Sequence, residues 1–196
     1  MEAVRRTLRK VRRQVEAITS AVEQYSGLRS RWNGQIAISE EVDLLIQPVF
    51  LAKKEWDCSI LIHQYALRRK DLIGTLIHEC MHAASMGLTP SAYLRFRGYE
   101  EGVVEQMTRL LTPRLAGSLN IPIQATARIS YQDYIAFLET IRAETGKAAE
   151  DFYLNLLRTP LADREDTVVQ WAIEANRQEP AVRMLVRIAS AMRGLK

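Results

Sequence analysis

The chain has 196 residues, of which 47% are apolar and 26% are charged. These values are typical of a soluble globular protein, and the length is sufficient for one domain with a hydrophobic core. No apolar run approaches the 18 residues that a membrane-spanning helix needs, and the basic N-terminus lacks the apolar stretch of a secretory signal. The composition therefore excludes a membrane-spanning protein.

Positive charge is concentrated near the N-terminus. The net charge is +4, and the first 31 residues contain eight Arg or Lys against three Glu. A basic segment of this kind can bind nucleic acid or anionic lipid, but more often it is the solvated face of a helix. Nucleic acid is therefore not the partner that we expect.

The chain contains two cysteines, Cys58 and Cys80. Two are too few for a disulfide scaffold, and Cys80 falls within a predicted helix beside candidate metal ligands. This usage favours a reduced protein, and hence a cytoplasmic location.

Residues 2–25 are predicted to form an amphipathic helix. Apolar residues recur along it at alternating spacings of four and three, as in a coiled coil: Val4, Leu8, Val11, Val15, Ile18 and Val22. Such a stripe can pair with a second copy of the chain, giving a dimer through the N-terminal helix, or it can pack across the rest of the domain.

After this helix, a short region with strand patterns is followed by a largely helical remainder. Residues 35–39 and 58–63 are strand candidates, and residues 43–52 are apolar but interrupted by Pro48. Helices are predicted at about 71–86, 98–112, 131–145, 147–158, 161–176 and 181–193. The order predicts an α+β fold with an N-terminal helix at 1–30, a core containing the sheet at 31–115, and a helical C-terminal subdomain at 116–196.

His78, Glu79 and His82 form the pattern HExxH within the predicted helix at 71–86. Histidines four residues apart lie above one another on one helix face, so both rings can bind one ion. Glu79 is tilted toward the same side, where it can take a proton from water at the metal without being a ligand. The pattern predicts a zinc site with Glu79 as general base.

The predicted helix has an apolar half and a polar half. The half expected to be buried comprises Leu72, Ile73, Leu76, Ile77, Cys80, Met81 and Ala84. The half expected to face an open cleft comprises Gly74, Thr75, His78, Glu79, His82 and Ser85. Asp71 is the predicted N-cap, Gly87 is the predicted glycine at the helix end, and Cys80 is interpreted as a buried thiol.

A third metal ligand is expected on the next predicted helix, at 98–112. Glu101 and Glu105 share one stripe of that helix, opposite its apolar side. Adjacent carboxylates cannot be distinguished by sequence alone, so Glu100 stays open as an alternative to Glu101. Glu105 can also simply pair with Arg109, one helical turn further on.

The two predicted helices together resemble the gluzincin zinc metallopeptidases, in particular minimal bacterial ones. In that group, HExxH is followed on a second helix by a glutamate, often in an EGxxE pattern, which here begins at Glu101. The resemblance implies that His78, His82 and Glu101 hold one catalytic Zn²⁺. It also implies that Glu105 hydrogen-bonds to a ligand histidine and orients it.

The resemblance further implies an activity, namely hydrolysis of protein or peptide substrates. A tyrosine-containing segment follows the glutamate helix in small bacterial gluzincins, and here Tyr131 and Tyr134 open the next predicted helix. Tyr131 is the first candidate for stabilising the oxyanion, and Tyr134 is the second. Packing at the helix start is the ordinary alternative for both.

Other interpretations stay open at this point. His63 can line the substrate cleft, although an ordinary structural histidine is the commoner case. The chain can also be a binding or regulatory protein that keeps a metal for structure and uses its basic helix for a partner. Glu79 favours the enzyme, because a structural metal site needs no general base between its ligands. A hydrolase acting on a non-peptide amide or ester is the third alternative.

Overall fold

In a computed structural model of the protein, the described residues are 2–39, 51–118, 131–175 and 183. The predicted helix at 181–193, apart from one position, and most of the ambiguous segment at 43–52 lie outside this part of the chain. The fold is α+β, as predicted, with a small three-stranded sheet and a helical C-terminal region. Within these ranges, no helix combines the length and the apolar character that crossing a membrane requires.

The elements follow one another in the order helix, sheet, helices. The helices are α1 (Glu2–Ser26), α2 (Leu72–Ala84), α3 (Pro90–Ser118), α4 (Gln132–Thr145), α5 (Ala149–Arg158) and α6 (Arg164–Ala175). The strands are β1 (Ile36–Ser39), β2 (Ala52–Lys54) and β3 (Ile60–His63), and short 3₁₀ helices occupy Gln64–Arg68 and Leu161–Asp163.

The chain divides into two compact units. One comprises Met1–Ala84 with Leu111–Ala127, and the other comprises Ser85–Leu110 with Arg128–Lys196. The first contains α1, the sheet and α2, and the second contains most of α3 with α4, α5 and α6. The division into segments at 1–30, 31–115 and 116–196 stays a prediction.

Helix α1 packs against α2 through its apolar stripe. Val11, Val15, Ile18 and Val22 are buried, and the Thr19 hydroxyl lies 3.6 Å from the Cys80 sulfur on α2. Burial of such a stripe against a neighbouring helix removes its apolar surface from water. The stripe thus packs within the chain, which is one of the two predicted alternatives, and a dimer through it stays a prediction.

The sheet has the order β1-β3-β2, with β1 parallel and β2 antiparallel to β3. The predicted strand at 58–63 begins only at Ile60, because Cys58 has a left-handed φ of 66° in the preceding turn. Asp57 stabilises that turn by accepting hydrogen bonds from the amide and hydroxyl of Ser59 at 2.9 and 2.7 Å. Strand β2 was not predicted as a strand, since only three residues form it.

The second unit begins directly after α2 with a tight turn that connects to the end of α5. The Met86 amide donates to the Leu157 carbonyl at 3.3 Å, and the Leu161 amide donates to the Met86 carbonyl at 3.0 Å. The helix stops at Ala84, two residues before the predicted end at residue 86, so Gly87 is not the residue directly beyond the helix end that was predicted. Gly87 instead adopts a left-handed φ of 67° where an added Cβ would lie 3.0 Å from the Leu161 nitrogen, so the turn requires glycine.

Candidate metal centre

Helix α2 presents the HExxH residues. It starts after Asp71, whose backbone carbonyl accepts the hydrogen bond of the Thr75 amide at 3.1 Å, as an N-cap carbonyl does. The Asp71 carboxylate, in contrast, pairs with Arg69 at 2.7 Å. The predicted position of the N-cap is therefore confirmed, but its side chain forms an ion pair with the residue two before it.

The polar half of α2 is buried, which corrects the expectation of a face open to a cleft. His78 is 3% exposed, while Glu79 and His82 are each 7% exposed. Thr75 and Ser85 on the same half are also buried. Because buried polar groups are costly unless they are hydrogen-bonded, charge-paired or bound to a metal, each of these side chains requires a partner.

The two histidines approach each other through their Nε2 atoms, which are 3.1 Å apart. Their ring planes are inclined at 82°, with the centroids 4.7 Å apart. Two zinc–nitrogen bonds of about 2.0–2.1 Å could span such a separation, so His78 and His82 would be able to hold one ion between them. The pair therefore has the spacing that a shared zinc ion requires.

Glu79 points toward the outer edge of β2. Along an antiparallel strand, successive residues direct their backbone groups alternately toward and away from the partner strand. The backbone groups of Leu51 and Glu55 hydrogen-bond to His63 and Ser59, so the amide of Lys54, directly before Glu55, faces away from β3. This amide donates to the Glu79 carboxylate at 2.7 Å. The candidate general base is therefore held by a backbone group of a strand that was not predicted.

Cys80 and His63 have the ordinary roles that were considered for them. Cys80 is a buried free thiol, and burial raises its pKa to about 12, against a hydrogen bond from Thr19 that lowers it. The Nδ1 atom of His63 accepts a hydrogen bond from the Tyr65 amide at 3.1 Å and caps the 3₁₀ helix. Neither residue belongs to the candidate centre.

Helix α3 carries the acidic residues and is longer than predicted. It begins at Pro90, where the Thr89 hydroxyl accepts a hydrogen bond from the Ala92 amide at 3.2 Å. Thr at the N-cap followed by Pro is a strong start signal for a helix. At Phe96 the backbone leaves the helical region, with φ −119° and ψ 27°, so the predicted helix at 98–112 is the portion after a kink.

Glu100 belongs to a buried ion pair. Arg164 donates to its carboxylate at 2.8 Å through Nη1 and to the Ser85 hydroxyl at 2.6 Å through Nη2. The Ser85 hydroxyl in turn donates to the same Glu100 oxygen at 2.8 Å, and both charged side chains are 0% exposed. Burial lowers the pKa of Arg164, while Glu100 opposes that shift. These contacts favour Glu101 over Glu100 as the ligand, because the Glu100 carboxylate is engaged with a guanidinium.

Glu105 is buried and accepts a hydrogen bond from Arg109 at 3.2 Å. This is the helical i, i+4 pair that was left open as an alternative. Arg109 also donates to the Gln132 side chain at 2.9 Å, which links α3 to the start of α4. Contact between Glu105 and a ligand histidine stays a prediction.

Gly102, directly after Glu101, allows α4 to approach α3 closely. An added Cβ there would lie 2.9 Å from the Leu138 Cδ1 and 3.1 Å from the Tyr134 Cβ. Neither atom can readily move away, since Leu138 is fully buried and the Tyr134 Cβ is attached directly to the main chain. The glycine of the EGxxE pattern therefore has a packing role in this chain.

Tyr93 contacts the predicted third ligand and was missed by the sequence analysis. Its hydroxyl donates a hydrogen bond to the Oε1 atom of Glu101. The Arg97 guanidinium lies 5.9 Å from the centre of the Tyr93 ring and is also near Tyr131. Tyr131 also stacks on Tyr134, with ring centroids 6.3 Å apart. Arg97 is thus near both Tyr131 and Tyr93, and Tyr93 contacts Glu101. The role of Tyr131 at the oxyanion stays a prediction.

His78, His82 and Glu101 each offer one ligand atom, and these three atoms all lie within 4.8 Å of one another. All three side chains are buried. Two imidazole nitrogens and one carboxylate oxygen are a donor set that suits zinc, and three protein ligands leave a fourth position for water or substrate. The residues present therefore fit the predicted ion in number, chemistry and burial.

Comparison of the chain with known protein families, curated proteins and solved structures found no match. The resemblance to gluzincins therefore depends on the two motifs and on the arrangement of His78, His82 and Glu101. A shared arrangement of ligands argues for chemistry more directly than a shared fold does.

Proposed function

We propose that this chain is a zinc-dependent peptidase of the gluzincin kind, with His78, His82 and Glu101 as ligands and Glu79 as general base. The observation that supports it most is the grouping of these three ligand atoms within 4.8 Å, beside a glutamate that directly follows the first histidine. A purely structural zinc site would have a fourth protein ligand, and it would not need a general base such as Glu79. The cluster found among the described residues has three members.

Zinc bound at such a site acidifies water and polarises the carbonyl of the scissile bond. The residues of the chain supply the remaining steps. Glu79 takes the proton from the attacking water and then delivers it to the nitrogen of the leaving amine, so that it ends each cycle unprotonated. The hydrogen bond from the Lys54 amide at 2.7 Å fixes the direction of the carboxylate. Tyr131 is the first candidate to donate to the oxyanion, and Tyr134 the second.

The test compares wild-type protein with Glu79→Gln, using casein and a peptide library as substrates and measuring zinc content for both proteins. We expect the wild type to cleave in a zinc-dependent manner. Glu79→Gln should bind as much zinc but lose about 10²–10⁴-fold in kcat, because the amide cannot accept the proton. Glu16→Gln, an exposed position on α1, is the matched control and should behave as the wild type.

Two results would count against the proposal. Zinc uptake without cleavage of any substrate by the wild type would favour a metal-containing binding or regulatory protein. Cleavage that persists in Glu79→Gln would mean that another residue is the base.

A cytoplasmic location is proposed with the enzyme, because Cys58 and Cys80 are both free thiols.

A further inference from the structure

The contact between Tyr93 and Glu101 joins two residues that a regular helix would keep apart. Residues eight positions apart in a straight α-helix are separated by about 12 Å along its axis. The break at Phe96, with φ −119° and ψ 27°, lies between them and changes the direction of the helix. The Tyr93 hydroxyl consequently reaches the Glu101 carboxylate.

We propose that Tyr93 is a positioning residue, which holds one oxygen of Glu101 and thereby presents the other oxygen to the metal. This inference rests on the proposed function, since it takes Glu101 as a zinc ligand. Tyr93 acts through Glu101 and touches neither the metal nor the substrate. The segment Pro90–Phe96 is then part of the metal centre, although it precedes the EGxxE pattern.

The chemistry of the pair supports a fixed direction for the hydrogen bond. The Tyr93 hydroxyl is the donor and the Glu101 carboxylate the acceptor. A phenol with its ordinary pKa of about 10 keeps its proton in neutral solution, and an ionised carboxylate can only accept. A carboxylate with one oxygen engaged in this way binds a metal through a single oxygen.

The Tyr93 ring is itself held in place. The Arg97 guanidinium lies 5.9 Å from the ring centre, on the far side of the helix break, and is also near Tyr131 at the start of α4. A cation over an aromatic face is attracted by the ring's electron density, which favours one orientation of the ring. The start of the segment is fixed by the Thr89 cap. The contact with Arg97 and the helix cap at Thr89 therefore hold Tyr93 in place from both sides before any ion binds.

Loss of the partner that orients a metal ligand commonly weakens metal binding by about 10–100-fold. The substitution Tyr93→Phe removes only the hydroxyl and keeps the ring that packs under Arg97. We expect its Kd for Zn²⁺, measured by competition with a chromophoric chelator, to rise by about this factor. The visible absorption bands of bound Co²⁺ should also change, because the carboxylate can now bind in a second mode.

The matched control is Tyr153→Phe. Tyr153 is a buried phenol on α5 that lies near Glu139. It thus places a buried phenol near a glutamate outside the proposed metal centre. Its Kd for Zn²⁺ and its Co²⁺ spectrum should match those of the wild type. Melting curves of both metal-free variants should lie within a few degrees of the wild type, which shows that they fold.

The results separate this inference from the proposed function. An unchanged Kd and Co²⁺ spectrum in Tyr93→Phe overturn the positioning role, whatever the activity. A fall in kcat with unchanged zinc affinity also overturns it, because Tyr93 would then act on the substrate. Weaker zinc binding in Tyr93→Phe, together with a wild type that cleaves no peptide, supports the positioning role and refutes the peptidase. A wild type that binds no zinc refutes both.

Discussion

Three buried glutamates follow one another closely along α3, yet each has a different neighbour. Glu100 pairs with Arg164, Glu101 accepts from Tyr93, and Glu105 accepts from Arg109. Residues one position apart on a helix point in directions about 100° apart, so Glu100 and Glu101 reach different surroundings. For each of these glutamates, the side chain that contacts the carboxylate indicates its role better than its position in the EGxxE pattern does.

The contrast between Glu100 and Glu101 gives a direct test of the ligand. Glu101→Gln should lose at least about tenfold in zinc affinity, since a neutral amide is a poor replacement for a carboxylate at a zinc site. Glu100→Gln should bind zinc as the wild type does, because its amide oxygen still accepts from Arg164 and Ser85. Isothermal titration with Zn²⁺ measures both, and the reverse ranking would assign the ligand to Glu100.

At the scale of elements, Arg164 connects α6 to two other parts of the second unit. Its Nη1 bonds to Glu100 on α3, its Nη2 bonds to Ser85 directly after α2, and its Nε donates to the Thr159 carbonyl at 3.2 Å. A fully buried guanidinium with donors in a planar fork holds such groups at fixed separations. The C-terminal helices therefore contribute to the stability of the helix that carries Glu101.

Removal of this guanidinium should destabilise the protein strongly. Arg164→Met leaves the Glu100 carboxylate buried without its cation, which typically costs about 3–5 kcal/mol in the free energy of unfolding. The double variant Arg164→Met/Glu100→Gln should recover part of that loss, since the remaining amide carries no charge. Urea unfolding of the two single variants and the double variant measures the coupling. Additive losses would contradict the importance of the pair.

The sequence predicted the structure well wherever a feature depends on a single helix or strand. The bounds of α1, α4 and α5 were predicted to within two residues, and the HExxH histidines approach each other as their spacing required. Strand β2 was missed because Ala-Lys-Lys has no apolar alternation, and it becomes a strand only by pairing with β3. Local propensity is weak information when pairing decides the structure.

Two residues near the candidate site were missed for a related reason. Arg164 occupies a position where a charged residue normally faces solvent, and its burial depends on Glu100, which lies 64 positions earlier. Tyr93 was missed because the predicted helix began at residue 98, beyond the Thr89–Pro90 start signal. Both cases depend on contacts between elements, which the spacing of residues along one helix does not encode.

At the scale of the whole molecule, zinc binding should be linked to folding. The proposed ligands come from α2 and α3, which the unfolded chain does not hold together, so we expect the ion to bind the native state preferentially. At a free zinc concentration 100 times the Kd, the gain in stability is about 2.7 kcal/mol. For a chain of this length, that gain raises Tm by about 5–11 °C.

Differential scanning fluorimetry with and without chelator measures this effect. Glu79→Gln should show the full zinc-dependent rise in Tm, because Glu79 is not one of the proposed ligands. His78→Ala should show little or none, since it lacks one of the imidazoles. A rise of equal size in His78→Ala would mean that zinc stabilises the chain from another place.

The contact between Lys54 and Glu79 has a consequence for how this sequence can vary. Because the donor belongs to the main chain, nearly any amino acid except proline at position 54 preserves it. A single residue inserted into or deleted from the Glu55–Ser59 hairpin, in contrast, would shift β2 by one position and turn that amide away from the carboxylate. Among divergent copies of this gene, the length of the hairpin should therefore vary less than its composition.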